Sequence, residues 1–317
     1  MGNRAAESIL HGIVAAIVVM VLMRAQRMRV PDTRLRFWLL ATGLPLSATP
    51  LCWWLAPWRH SERFRDDWSL FSASHLAPYT FHGVALSGTI ALLLALAGTL
   101  LYLRDLVPFA LDFVRGRATR RSVIEPPTIL VSATSRAAVA LGIAVPRLTV
   151  LPSKHPILIC RGLRRPNIVV SSGLCQMLAP DELQASIAHE MAHAKHRDPV
   201  LGWGLMVMRG LAFFNPAVQL AARAAALEVE RRADQAAARI VGSADAVVQS
   251  LRKLSGIDRA RPFPSEALTW HGYRLAAIEA RCQALLHEQR PADEVQPAWL
   301  LPATAIGLGV ILFLTVA

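Results

Sequence analysis

The sequence predicts an α-helical membrane protein carrying one α+β domain folded around a metal-binding helix. Three observations predict it. The 317 residues are 54% hydrophobic and only 18% charged, too apolar for an ordinary soluble domain. The uncharged residues gather into long runs, three before residue 121 and one at the end of the chain. Between them, residues 180–198 read PDELQASIAHEMAHAKHRD, a helical stretch containing His189-Glu190-Met191-Ala192-His193.

The first run, Ile9–Met23, is interrupted only by His11 and Gly12, and with its flanks, a span of about 8–24, it reaches the about 30 Å of a bilayer core. A signal peptide is the competing reading, but Arg24, Ala25, Gln26 and Arg27 follow instead of a small-residue cleavage site, so a retained helix is expected. Residues 24–36 then hold five arginines against Asp32. The second run, 37–58, has no charge. Pro45, Pro50 and Pro57 are expected to kink it or fray its end, and Trp53, Trp54 and Trp58 suit an interfacial aromatic belt. The third run is 83–103, followed by Arg104, Arg115, Arg117, Arg120 and Arg121. Residues 1–121 thus read as a membrane domain with three spans, and 298–317 as a fourth span after the folded domain.

The net charge of +12 is carried largely by arginines beside apolar runs, which suits a bilayer surface as partner. No zinc-finger, helix-turn-helix or RNA-binding signature is present, so no direct nucleic-acid binding is expected. The four cysteines form no CxxC pair and read as small buried hydrophobes. There is no GxGxxG or P-loop lysine motif.

Residues 122–297 read as the globular domain. A helix is expected over 128–141, ending at Gly142. Three short β-branched runs follow, 147–151, 157–160 and 167–171, predicting a small sheet just before the metal helix. Between Asp198 and Arg223 the only charge is Arg209. One crossing here would part His193 from Glu230, and a crossing hairpin needs two spans of about 20 residues. The expectation is therefore a helix buried in the domain or lying against the bilayer, with a turn at Asn215-Pro216. Helices are expected again over 243–256 and 273–288.

The metal helix begins well: Pro180 suits its first position, and Asp181 and Glu182 put negative charge in its first turn. Pro199 is expected to end it directly after Asp198. His189 and His193 lie four apart on one face and can hold one zinc ion. Glu190 stands beside them as general base toward a metal-activated water. Downstream, Glu230-Arg231-Arg232-Ala233-Asp234 reads ExxAD in an alanine-rich helical stretch. Glu230 can be the third ligand, and Asp234 can bond the far nitrogen of a liganding imidazole. His196 is a rival third ligand, or a helix-end histidine favoured by the dipole. The metzincin pattern HExxHxxGxxH fails, because His196 and Pro199 occupy its glycine and last histidine positions. An oxyanion would need a further donor, for which His271 and Tyr273, in Trp270-His271-Gly272-Tyr273, are the candidates.

Three spans, this domain and one more span resemble the architecture of the BlaR/MecR-type membrane metallopeptidases, a gluzincin family. The segment HPILICRGLRRPNIVVSSGL is similar to that family's strand–turn–strand, and HEMAHAKHRD resembles its metal-helix signature. Asn215-Pro216, EVERRAD and the stretch from Tyr273-Arg274-Leu275 onward, similar to its late arginine-bearing helix, fall in matching order. The resemblance implies a zincin-like fold and one zinc per chain, held by His189, His193 and Glu230, with Glu190 as base. It also implies cleavage of a protein or peptide substrate on the cytoplasmic side of the bacterial inner membrane, often a transcriptional repressor. Antibiotic-sensing members carry an extracytoplasmic sensor domain after the last span, and this chain stops there. Two rival readings stand beside it: a quality-control peptidase like the HtpX/CAAX prenyl peptidase group, and a non-catalytic signalling scaffold, against which the presence of Glu190 counts.

Overall fold

The computed structural model of the chain describes residues 2–67, 69, 79–81, 84–115, 124–161, 166–258, 275–287 and 297–315. They divide into two compact units. One comprises Met1–Leu106, Gly204–Glu228 and Asp293–Ala317, the other Val107–Trp203 and Val229–Ala292.

The first unit is built from apolar helices. Helix α1 (Gly2–Ala25) packs along α2 (Pro31–Leu55), which opens on Pro31 with Asp32 in its first turn and stays helical through Pro45 and Pro50. Ala15, Val19 and Met23 of α1 and Phe37 and Ala41 of α2 share a buried core with Leu308 and Leu312 of the last helix. After a 3-10 turn (Pro57–His60) come α3 (Glu62–Asp67), the antiparallel pair of two-residue strands β1 (Thr80–Phe81) and β2 (Val84–Ala85), and α4 (Leu86–Arg115).

Among the described residues two helices are long and apolar enough to cross a membrane, Ala5–Ala25 and Leu86–Val107. The expected second span falls on α2, which is long enough. Two internal prolines, three threonines, a serine and three tryptophans dilute its apolar character. The expected fourth falls on α12, described over Leu300–Thr315, which at 1.5 Å per residue is about 24 Å long.

In the second unit, α5 (Thr128–Leu141) ends at Gly142, whose φ of 65° is left-handed and suits a residue without Cβ. Strands β3 (Arg147–Leu151), β4 (Leu158–Arg161) and β5 (Asn167–Ser171) form a sheet in the order β3-β5-β4, with β3 parallel and β4 antiparallel to β5. Short β-branched runs between proline and glycine turns make these strands, one residue off the expected start at β4. The short α6 (Ser172–Met177) leads into α7 (Pro180–His196), the metal helix. Ile168 and Val170 of the sheet, Leu130 and Ala137 of α5, and Leu183, Ile187 and Met191 of α7 close one core. Glu182 fastens the start of α7: its carboxylate accepts from the Ala179 amide at 2.8 Å and from Lys253 Nζ at 2.6 Å.

The end of α7 differs from expectation. Arg197, in the left-handed conformation (φ 54°), stops it. Asp198 and Pro199 instead open α8 (Asp198–Leu211), because proline is tolerated in a first turn, where no intrahelical bond needs its missing N–H. The turn expected at Asn215-Pro216 is present: Asn215 Oδ1 accepts from the Ala217 and Val218 amides and caps α9 (Pro216–Val241). Residues 204–228 group with the apolar helices, although they lie inside the 122–297 stretch read as the globular domain. Their polar side chains find partners there. Arg209 and Arg223 pair with Asp105 of α4, and Asn215 donates to Ser8 O of α1. Helices α10 (Ala244–Asp258) and α11 (Leu275–His287) complete the second unit.

Candidate metal centre

The two histidines of HExxH project from one face of α7, with their Nε2 atoms 3.1 Å apart. Glu230, on the second half of α9, brings Oε2 to 3.6 Å from His189 Nε2 and Oε1 to 3.7 Å from His193 Nε2. The three ligand atoms lie within 4.8 Å of one another. Donors at about 2.05 Å in a tetrahedral shell are about 3.3 Å apart, so two nitrogens and one carboxylate oxygen at these separations fit a single zinc-sized cation.

Each imidazole is oriented from behind by a carboxylate. His193 Nδ1 is 2.7 Å from Asp198 Oδ2. His189 Nδ1 is 3.0 Å from Asp234 Oδ1, an ion-pair contact whose angle falls outside hydrogen-bond geometry. Such partners fix ring orientation and direct the Nε2 lone pair forward. Asp234, one turn after Glu230 on α9, is 1% exposed, so its charge needs a partner. Arg281 of α11 supplies it through Nε and Nη2, both at 2.7 Å, and its Nη1 lies 3.0 Å from Glu230 Oε2. Arg232 contacts Asp198 Oδ1 through Nη2.

The electrostatics follow from this packing. Burial opposes the charged form of His189, but the carboxylates of Asp234 and Glu230 outweigh it and hold the metal-free imidazole up at about 10. Burial also opposes the charges of Glu230 and Asp234, and the Arg281 cation, aided by His189, keeps both carboxyls below their usual range. The centre is therefore a deprotonated carboxylate beside two imidazoles, the donor set of a borderline-soft divalent ion.

Glu190 does not join the three ligand atoms. Its Oε2 accepts from the Cys160 amide of β4 at 3.1 Å, which ties the carboxylate to an edge strand of the sheet. The Cys160 thiol is pushed up to about 12, first by burial and then by the Glu190 charge, as befits an unreactive cysteine. His196 is exposed and outside the cluster. His271 and Tyr273 lie outside the described residues.

Sequence reasoning missed Asp198, Arg232 and Arg281. Asp198 had a signal, being the aspartate that closes HEMAHAKHRD, but it was read only as a helix end. Arg281 lies on the late arginine-bearing helix, yet nothing in its spacing from residue 234 shows that the two meet.

Two helices supply a His-His-Glu cluster, with Glu190 next to His189 in the sequence, an arrangement of the metallopeptidase type. Residues 91–245, just under half of the chain, match the BlaR1 peptidase M56 family. It is also similar to several curated proteases. One, named a protease HtpX homolog, of Caldanaerobacter subterraneus subsp. tengcongensis, is 31% identical over 109 residues, 34% of this chain and 36% of that protein. Another of the same name, from Desulfatibacillum aliphaticivorans, is 24% identical over 200 residues, 51% of this chain and 64% of that protein. The protease HtpX of Escherichia coli O127:H6 is 30% identical over 146 residues, 42% and 50% respectively. The chain thus spans between about a third and two thirds of the length of these relatives.

Proposed function

We propose that the chain is an integral-membrane, zinc-dependent endopeptidase that cleaves a cytoplasmic or membrane-proximal protein, in regulatory signalling such as inactivation of a repressor. The observation that carries the reading is the convergence of His189, His193 and Glu230 with Glu190 alongside but unliganded. A zinc ion bound there would supply Lewis-acid activation of a water and of the scissile carbonyl. Glu190 would accept the proton of the attacking water and hand it to the leaving amine. The Cys160 amide holds one carboxylate oxygen, leaving the other for the water. An extended substrate would add to β4, an edge strand of the sheet. That favours unfolded or extended segments.

The proposed setting has four spans, with the catalytic domain on the cytoplasmic side of the inner membrane. A second reading, broad quality-control proteolysis, is favoured by the likeness to proteins named protease HtpX. The non-catalytic scaffold has no such support. Metal analysis and cleavage assays on purified protein test the chemistry: Glu190→Gln should keep full zinc and lose cleavage, and zinc lost with Glu190→Gln would refute its assignment as the non-liganding base. Comparing protein fragments in cells with and without the Glu190→Gln chain separates the two roles. One stoichiometric cut supports signalling; many unrelated membrane-protein fragments support quality control.

A further inference from the structure

Between the two metal motifs, α8 and α9 meet in a hairpin, and we infer that residues 204–223 enter the hydrocarbon core of the bilayer and turn back inside it. The inference goes beyond the proposed activity and rests on reading α4 as a membrane-crossing helix.

Contacts within the apolar unit set the depth. Arg209 and Arg223 reach Asp105 and the Leu101 carbonyl of α4. Gly210 lies against Tyr102. At the tip, Phe214 and Asn215 pack on Gly98 so closely that a Cβ there would sit 2.5 Å from the Phe214 carbonyl. The hairpin therefore climbs α4 from Asp105 to Gly98. Gly98 is nine residues inside the Val107 end of the apolar span, about 14 Å along a helix, or half of a core about 30 Å thick. Helix α1 gives an independent measure. Asn215 donates to Ser8 O at 2.6 Å and would lie 2.7 Å from a Cβ on Gly12. Gly12 is thirteen residues inside the Ala25 end of the other span, about 20 Å. Both place the tip at half depth or more.

The polarity is that of a lipid-facing element. Within 204–223 the exposed residues are Gly204, Val207, Leu211, Phe213 and Leu220, and Arg209, Asn215, Gln219 and Arg223 are all buried. In water, helix ends at a turn would be hydrated. Here Gln219 Nε2 donates to the Arg209 and Ala212 carbonyls, and Asn215 Oδ1 takes the first amides of α9. Backbone groups in hydrocarbon must find such internal partners. The close glycine contacts are those by which membrane helices approach each other. A turn at half depth keeps Glu230 on the same side as His193 with fewer apolar residues than two full spans need.

Two experiments on the full chain in membranes test this. The unaltered protein in vesicles containing a lipid-borne diazirine should take label on Leu211, Phe213 and Leu220 as well as on Leu93 of α4. Label on Leu93 but none on the hairpin overturns the inference and leaves the membrane reading standing, whereas no label on Leu93 removes both. Single cysteines, in a chain whose four native cysteines are alanine, give the second readout with a membrane-impermeant maleimide. Val139→Cys should react, and Leu93→Cys and Leu211→Cys should react at least tenfold more slowly until detergent is added. Reaction of Leu211→Cys at the Val139→Cys rate, reaction of Phe213→Cys only from the side opposite Val139→Cys, or oxidative cross-linking of Leu211→Cys between two copies would each overturn it.

Discussion

Arg281 grips Asp234 through two parallel hydrogen bonds of 2.7 Å and sends its remaining nitrogen to Glu230 at 3.0 Å. One arginine thus neutralises both a proposed ligand and the carboxylate behind His189. Breaking a buried pair by removing one partner costs roughly 3–5 kcal/mol. We expect Arg281→Ala to lower the melting temperature of the metal-free protein sharply, and Arg281→Lys to recover only part of it, because an ammonium cannot form the fork. Added zinc should stabilise Arg281→Ala more than the unaltered chain, since the metal brings positive charge back to Glu230. Equal melting temperatures for the unaltered chain and Arg281→Ala would refute the pairing.

Asp198 stands behind His193 as Asp234 stands behind His189. Second carboxylates of this kind are worth about 10- to 100-fold in metal affinity or activity. Asp198→Ala should lose that much in a chelator competition with zinc, and Asp198→Asn less, because its carbonyl can still accept from Nδ1–H. The two variants should leave the ligand count unchanged. Unaltered zinc affinity in Asp198→Ala would show that His193 needs no orienting partner.

Much of this centre was legible in the sequence, and the reason is periodicity. Ligands four residues apart on a helix reveal their shared face without any knowledge of the fold. The strands before α7 were legible through β-branching and turn residues. Arg281 and the α8–α9 hairpin were not legible, because both depend on contacts between distant segments. Arg281 meets Asp234 across 47 residues, and Arg209 meets Asp105 across 104. A charged residue inside an apolar run looks like a surface marker until its partner is seen.

The metal-free His189 titrates at about 10, so at neutral pH zinc must displace a proton to bind there. Below that value each unit of falling pH should weaken apparent zinc affinity about tenfold, and above it the dependence should flatten. Asp234→Asn removes one of the charges that hold the proton and should move the plateau to lower pH. Calorimetry in buffers of different ionisation enthalpy should find about one proton released per zinc at pH 7.5. No proton release would mean that His189 is already neutral in the metal-free protein.

The last prediction is the orientation in the membrane. Residues 24–36 carry five arginines against one acid, and residues 104–121 five against Asp105 and Asp112. Residues 59–68 balance three arginines with three acids. Positive residues are retained on the cytoplasmic side, which puts 24–36 and 104–121 inside and the turn around Pro57–His60 outside. The buried pairings do not reverse this. Arg34 is held by Glu228, but Arg24, Arg27, Arg29 and Arg36 still outnumber Asp32. Three crossings before the domain then require residue 2 outside, and a fourth carries residue 317 out. If α1 instead lies at the interface, the N-terminus stays inside and the side of the domain is unchanged. A phosphatase active only outside the cytoplasm, fused after Arg121, should be silent, and fused after Ala317 it should be active. Activity after Arg121 would put His189, His193 and Glu230 on the outer side and exclude cytoplasmic repressors as substrates.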